Sequence, residues 1–137
     1  MYSIEKVLAD LRSERKKKVI IDSDTYNEID DQFAIAHLMQ TQDRVEICGM
    51  TAAPFYNWRS DSFGDGARRS FEEMIKIRSL VDPFSEIPVR MGSACQMPDI
   101  RTAVSSPAAD FIIETARMMT DEPLYLLGIG APTNIAS

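Results

Sequence analysis

Five carboxylate side chains lie within ten residues of one another, directly after a short run of β-branched apolar residues at 19–21. They are Asp22, Asp24, Glu28, Asp30 and Asp31. Carboxylates at this density repel one another unless a cation lies among them or some of them hold protons. Asp residues also cap helix N-termini, but that role explains one or two acids better than five. The stretch therefore predicts a metal-binding or catalytic site.

The residue types in this loop indicate which metal would bind there. The side-chain donors that it offers are oxygens, and it contains neither Cys nor His. Oxygen donors suit hard cations such as Ca²⁺ and Mg²⁺, whereas Zn²⁺ prefers nitrogen and sulfur. We expect a hard divalent cation, with Ca²⁺ bound in preference to Zn²⁺.

The elements that must position these residues alternate between strands and helices. Four strands are predicted at 19–21, 45–51, 88–91 and 124–129. Helices are predicted over 3–15, over 31–40, after the break Gly64-Asp65-Gly66, and from Ser106-Pro107 onwards. This alternation is typical of an α/β fold with a doubly wound, mainly parallel, Rossmann-like sheet.

In such a sheet, ligands bind beyond the carboxyl ends of the strands, where the strand order reverses. The doubly wound order predicts that the first and fourth strands are neighbours and that the second and third lie on the far side of the first. Asp24, Thr51 and Ile129-Gly130 each lie at the carboxyl end of a predicted strand. We therefore expect these three loops to converge.

An aromatic-rich loop, Phe55-Tyr56-Asn57-Trp58, follows the second strand. Two interpretations remain open for it. The aromatic rings bury an edge of the core, or they form a wall that binds a polar, ring-shaped ligand together with the amide of Asn57.

Composition narrows the class of protein. The 137 residues are 45% apolar, which predicts one domain over 1–137 with a hydrophobic core. The net charge of -6 argues against nucleic acid as a partner. No apolar run is long enough to span a membrane, and no signal-peptide pattern follows Met1.

Cys48 and Cys95 are expected to be reduced and buried, as in a cytoplasmic protein. The only histidine, His37, is expected to pack or to face solvent rather than to act as the catalytic acid.

Two spaced motifs resemble the inosine–uridine preferring nucleoside hydrolase family. In that family a strand leads into Asp-x-Asp-Pro-Gly-x-Asp-Asp and then an apolar helix. Residues 22–31 here read Asp-Ser-Asp-Thr-Tyr-Asn-Glu-Ile-Asp-Asp, two residues longer and without the Pro-Gly pair, as in a divergent branch of the family. The second motif, Gly-Pro-Leu-Thr-Asn-Ile-Ala, is similar to residues 130–136, Gly-Ala-Pro-Thr-Asn-Ile-Ala. The resemblance covers about 19–137 and implies the N-terminal half of a nucleoside hydrolase fold.

The resemblance also implies roles for individual residues. Asp24 would bind Ca²⁺ and act as the general base on the attacking water. Asp31 would be a bidentate metal ligand, and the carbonyl of Ile129 would supply another metal-binding oxygen. Asp30 would hold a ribose hydroxyl, and Asn57 is the best match to the ribose-binding Asn of the family.

The implied activity is Ca²⁺-dependent hydrolysis of the N-glycosidic bond of ribonucleosides to base and ribose. The expected partner is a small-molecule nucleoside, and a homo-oligomer is expected. Members of the family are about twice as long, and their C-terminal half supplies a further metal-binding Asp and a leaving-group His. The resemblance therefore implies that these 137 residues alone are nearly inert as a hydrolase and that the sheet exposes an apolar edge.

Two alternatives stay open. Asp22-Ser23-Asp24-Thr25 also fits the first motif of a haloacid-dehalogenase-like, Mg²⁺-dependent phosphatase, in which the first Asp is the nucleophile. The nucleoside hydrolase interpretation instead gives Asp22 a structural role. The second alternative is a non-catalytic remnant that binds metal and ribose.

Overall fold

Helices and strands alternate along residues 3–137, the part of the chain that the computed structural model describes. The elements are α1 (Ile4–Arg12), β1 (Lys17–Ser23), α2 (Asp30–Gln40), β2 (Val45–Ala52), α3 (Phe63–Val81), β3 (Val89–Met91), α4 (Pro107–Met118), β4 (Leu124–Gly128) and α5 (Thr133–Ala136).

The four strands form one parallel sheet in the order β3-β2-β1-β4. The predicted doubly wound α/β fold is thus confirmed, and so is the prediction that the first strand lies between the fourth and the second. In β1, Ile21 pairs with Met50 of β2 and with Leu127 of β4. Because β1 is central, its last five residues are buried, and the loop that follows starts from a rigid position.

Helices cover both faces of the sheet. On one face, Ile21 and Met50 pack with Ile35 of α2 and Met74 of α3 in the main hydrophobic core. On the other face, Phe111 of α4 lies so close to Gly49 in β2 that a Cβ atom at that glycine would overlap the ring. Strand β4 is an outer strand, and Leu126, Leu127 and Ile129 are all exposed.

The leading helix is shorter than predicted. It was expected over 3–15 but ends at Arg12, where Ser13 adopts an extended conformation. The side chain of Arg15 binds Asp10 at 2.8 Å and Glu122, in the connection before β4, at 2.5 Å. These two ion pairs hold the chain beside the sheet and so direct it out of the helix and into β1.

The expected chain break at Gly64-Asp65-Gly66 is wrong, because all three residues lie in the first turn of α3. Ser62 caps this helix by accepting a hydrogen bond from the backbone N–H of Asp65 at 3.1 Å. The glycines serve close packing instead. A Cβ atom at Gly66 would overlap the backbone oxygen of Phe55, the residue that opens the aromatic-rich loop.

Replacing Gly66 by Ala is expected to destabilise the protein by about 1–3 kcal/mol, although Ala normally favours a helix by about 1 kcal/mol. The reason is the overlap with the backbone of Phe55, which cannot rotate away. Gly64→Ala is the matched control, since its Cβ would lie 3.2 Å from the Cβ of Ala94 and needs only a small adjustment. Urea unfolding of both variants measures the difference, and equal stabilities would contradict the prediction.

Two sequence-based expectations about solvent contact can also be compared with the structure. Cys48 and Cys95 are free thiols, but Cys95 is exposed and Cys48 only half-buried, so the expectation that both are buried is wrong. Among residues 3–137, no helix combines the length and the apolar character that crossing a membrane requires.

Candidate functional site

Three loops meet at the carboxyl ends of β1, β2 and β4, as predicted. The backbone N–H of Ala53 donates to the oxygen of Ser23 at 2.8 Å, and that of Ile129 donates to the oxygen of Asp22 at 2.9 Å. Gly130 packs directly on Asp24, since a Cβ atom there would lie 2.5 Å from the backbone nitrogen of Asp24 and 2.9 Å from its Oδ1. The absence of a side chain at position 130 therefore brings the end of β4 against Asp24.

The carboxyl groups of Asp24 and Asp31 lie side by side in this site. Asp31, in the first turn of α2, is only 6% exposed, and its carboxyl group hydrogen-bonds with Asp24 and Ser23. Burial, together with the contact with Asp24 and the nearby charges of Asp24 and Asp30, raises the pKa of Asp31 from its usual 3.8 to about 7. The carboxyl group of Asp31 therefore holds its proton up to about pH 7 unless a cation takes the place of that proton.

Asn27 fixes the conformation of the acidic loop. Its backbone N–H donates to the backbone oxygen of Asp24 at 2.7 Å, and its Nδ2 donates to Oδ2 of Asp24 at 3.0 Å. Its Oδ1 accepts from Nδ2 of Asn57 at 2.5 Å, and its backbone oxygen accepts from Nη1 of Arg59 at 3.0 Å. Sequence reasoning missed Asn27 and Arg59. The Asn in a polar loop, three residues after Asp24, was the available signal for the first of them.

The other predicted site residues occupy different positions relative to this pair. Asp30 is exposed at the first residue of α2, and Ile129 is exposed at the end of β4. Asn57 reaches Asp24 only through Asn27, and its Oδ1 is engaged by the backbone N–H of Arg59 at 2.8 Å. His37 is exposed, six residues beyond Asp31 and so about 9 Å further along α2.

The aromatic-rich loop divides between its two interpretations. Phe55 is buried, as expected for an edge of the core. Tyr56 and Trp58 are 60% and 89% exposed, so their rings are available to a ligand. Asn57 lies between these two exposed rings in the sequence and belongs to the network around Asp24.

Asp22 lies in β1 beneath the site, on the opposite face of the strand from Ile21. It is 1% exposed, and its Oδ1 accepts hydrogen bonds from Thr51 Oγ1 at 2.6 Å and from Asn134 Nδ2 at 2.9 Å. Within the described residues 3–137 its Oδ2 has no hydrogen-bond partner, and burial raises the pKa of this carboxyl group. Asp22 thus contacts the supporting structure under the site and not the solvent above it.

The donor set fits a hard cation better than a soft one. Within residues 3–137, no group of three or more His, Cys, Asp or Glu side chains is arranged to bind a metal. The site offers two carboxylates, Asp24 and Asp31, with the exposed end of β4 at Ile129 beside them. Two adjoining carboxylates, of which Asp31 has a raised pKa, are an arrangement that a divalent cation would stabilise. Carboxylate and carbonyl oxygens are the ligands that Ca²⁺ takes.

Comparison of the chain with protein-family models, with curated proteins and with solved structures found no match. The assignment of a function therefore depends on the two sequence motifs and on the geometry of the site.

Proposed function

We propose that this chain carries the metal- and ribose-binding side of a Ca²⁺-dependent nucleoside hydrolase site, of the family that its two motifs resemble. The observation that carries the proposal is the contact between the carboxyl groups of Asp24 and Asp31 at the end of β1, with Gly130 packed on Asp24. The two motifs, far apart in the sequence, thus meet at one point in space.

Each residue of the site has a role in such a reaction. Asp24 would accept a proton from the attacking water, while Asn27 keeps its Oδ2 oriented through a 3.0 Å hydrogen bond. Asp24, Asp31 and the carbonyl of Ile129 would hold Ca²⁺. A bound calcium ion supplies positive charge that favours loss of a proton from water, and coordination positions for hydroxyl oxygens.

Carboxylates also suit the electrostatics of glycosidic cleavage. The sugar develops positive charge as its bond to the base breaks, and negative side chains beside the ring stabilise that charge. Asp30 is exposed at the N-terminus of α2, where it can accept a hydrogen bond from a ribose hydroxyl. Asn57 would bind ribose from the adjacent loop, next to the exposed rings of Tyr56 and Trp58.

The burial of Asp22 argues against the phosphatase alternative. In that mechanism the first Asp of the motif attacks phosphorus, so its carboxylate must reach the substrate. Asp22, in the central strand β1, is held by Thr51 and Asn134 and is almost inaccessible to a substrate. Of the carboxylates in the hydrolase assignment, Asp24 is partly accessible and Asp30 is exposed.

The proposal includes a cytoplasmic homo-oligomer. Leu126 and Leu127 point to opposite faces of the outer strand β4 and leave apolar side chains exposed on both, where copies can associate. A non-catalytic protein that binds metal and ribose would use the same residues. Binding of ribose is therefore the first property to measure, and turnover is the second.

The test is the binding of ribose by calorimetry, with Ca²⁺ and with a chelator. We expect binding that requires Ca²⁺ and that falls at least tenfold in Asp24→Ala, with Asp43→Asn, an exposed acid away from the site, as the matched control. Release of ribose from inosine and uridine, against release of phosphate from p-nitrophenyl phosphate with Mg²⁺, then separates hydrolase from phosphatase. Phosphate release without Ca²⁺-dependent ribose binding would overturn the proposal.

A further inference from the structure

A guanidinium group lies at the rim of the acidic site. Arg59, in the loop after β2, donates from Nη1 to the backbone oxygen of Asn27 at 3.0 Å, and Asn27 in turn binds the carboxylate of Asp24. The Arg59 backbone N–H is held by Oδ1 of Asn57 at 2.8 Å. Both ends of Arg59 are therefore fixed by the network that orients Asp24.

The positive charge of Arg59 is not neutralised by a carboxylate of the described residues. Among residues 3–137, no carboxylate lies within ion-pair distance of its guanidinium group, and the hydrogen bond to Asn27 occupies one of five N–H groups. The guanidinium carbon lies 5.1 Å from the centre of the Tyr26 ring and 5.3 Å from that of Trp58. Stacking on the two rings at these distances orients the planar guanidinium group but leaves the N–H groups at its edges free to donate hydrogen bonds.

A second guanidinium group approaches the same tyrosine from α3. Arg69 lies 5.7 Å from the centre of the Tyr26 ring and binds Asp65 at 2.6 Å. Arg68, Arg69 and Lys76 line a cleft of about 290 Å³ beside Tyr26 together with Glu72 and Glu73, and each of these three cations has a carboxylate partner. Two guanidinium groups that share one aromatic ring repel each other, and only one of the pair has a carboxylate partner. An anion at Tyr26 would offset this excess of positive charge.

We propose that Arg59 binds the phosphoryl group of the ligand, so that the site takes a phosphorylated ribosyl compound, such as a nucleoside monophosphate, rather than a neutral nucleoside. The inference rests on the proposed function, because it assumes that ribose binds beside Asp24 and Asp30. The planar fork of arginine matches two phosphate oxygens at once, which a lysine at the same position could not do.

The carboxylates around the site explain why a phosphoryl group would need the positive charge of Arg59 to bind there. Without Arg59, a phosphoryl group at this rim would meet the carboxylates of Asp24, Asp30 and Asp31 and be repelled. With Arg59 fixed through Asn27, the ligand's negative group is attracted to one side of the site and its ribose lies over the carboxylates. If Arg59 only connected the two loops, a phosphate group on the ligand would not change the affinity. A phosphate-binding role and a structural role can therefore be distinguished by experiment.

The experiment compares the binding of ribose, ribose 5-phosphate and inorganic phosphate to the Ca²⁺-treated protein by calorimetry. We expect ribose 5-phosphate to bind at least tenfold more tightly than ribose. Arg59→Gln should remove this preference, so that ribose and ribose 5-phosphate bind equally tightly, and Arg59→Lys should keep only part of it. The matched control is Arg90→Gln, since Arg90 also stacks on a ring, that of Phe111 at 5.1 Å, and donates to a backbone oxygen, but against α4.

Each other outcome has a defined meaning. Equal binding of ribose and ribose 5-phosphate would overturn the phosphate subsite and leave the proposed function standing. A preference that survives in Arg59→Gln would overturn the assignment to Arg59. Inorganic phosphate binding as tightly as ribose 5-phosphate would show that the sugar plays no part, and binding of neither sugar would overturn both this inference and the proposed function. Melting curves of both Arg59 variants establish that the chain is folded in each case.

Discussion

Replacing Asp31 by Asn is expected to abolish the thermal stabilisation that Ca²⁺ gives to the protein. In the wild-type chain at pH 8, a Ca²⁺ concentration about 100 times the dissociation constant should stabilise the fold by about 2.7 kcal/mol, or roughly 5–10 °C in Tm. Asn keeps the shape of Asp31 but removes the charge that, with Asp24, makes the site attractive to a cation. Thermal melting with increasing Ca²⁺ measures the effect.

The same substitution should change how the metal-free protein responds to pH. The pKa of Asp31 is raised in the folded state to about 7, from an ordinary value of 3.8, so the folded state binds this proton more tightly than the unfolded chain does. The stabilisation from this proton is complete below about pH 4 and is lost as the pH rises through 7. We therefore expect the proton on Asp31 to account for a loss on the order of 2–4 kcal/mol of stability between pH 4 and 8 in the wild-type protein without metal. Asp31→Asn should flatten this dependence.

Asp30→Asn is the matched control for both measurements. Asp30 precedes Asp31 directly and carries the same charge, but it is exposed, whereas Asp31 is buried against Asp24. Its substitution should leave most of the Ca²⁺ response and most of the pH dependence in place. A wild-type melting temperature that does not change at millimolar Ca²⁺ would contradict the metal assignment. A Zn²⁺ response larger than the Ca²⁺ response would contradict the choice of ion.

The parts of the site that could be predicted from the sequence are those fixed by the sheet. A buried apolar strand followed by carboxylates fixes where Asp24 emerges, and the alternation of strands and helices fixes which strand ends lie beside it. Asp31 follows, because a helix that starts at Asp30 returns its first turn to the end of β1. The contact between Asp24 and Gly130, more than 100 positions apart, is thus a consequence of topology.

The side-chain network of the loops could not be predicted in this way. Asn27 bonds to Asp24 because the loop between β1 and α2 turns back on itself, along a path that no periodic pattern encodes. Arg59 reaches Asn27 across the gap between two loops, and neither loop alone determines that distance. Gly66 failed as a helix breaker for a similar reason, since tertiary contact with Phe55 outweighed its low helix propensity.

Asn134 connects four parts of the chain that support the site. It is 2% exposed, and its Nδ2 donates to Oδ1 of Asp22 at 2.9 Å and to the backbone oxygen of Ala52 at 3.1 Å. Its Oδ1 accepts from the backbone N–H of Ser93 at 3.1 Å and from Ser106 Oγ at 3.4 Å. One buried amide thus joins the ends of β1 and β2, the loop after β3 and the N-cap of α4.

Removing this amide is expected to lower the stability of the fold more than any other single change at the carboxyl ends of the strands. Asn134→Ala leaves several buried polar groups without partners, each worth about 1–3 kcal/mol, so we expect a loss of about 3–5 kcal/mol in urea unfolding. Ser106→Ala, which removes the α4 cap but keeps the amide, should lose only about 1 kcal/mol. A loss below 1 kcal/mol for Asn134→Ala would show that the amide is not the connection that holds these elements together.

Asn134→Asp tests the electrostatic part of the same contact. A charged carboxylate at this position would face Oδ1 of Asp22 and could no longer donate to it, so the two buried carboxylates would repel each other. A protonated carboxyl group could still donate one hydrogen bond to Asp22. Because the folded state would then hold a proton that the unfolded chain releases, the variant should be close to wild type near pH 4 and fall well below it at pH 8. A stability difference between Asn134→Asp and wild type that stays constant across this range would mean that the 2.9 Å contact with Asp22 carries no electrostatic coupling.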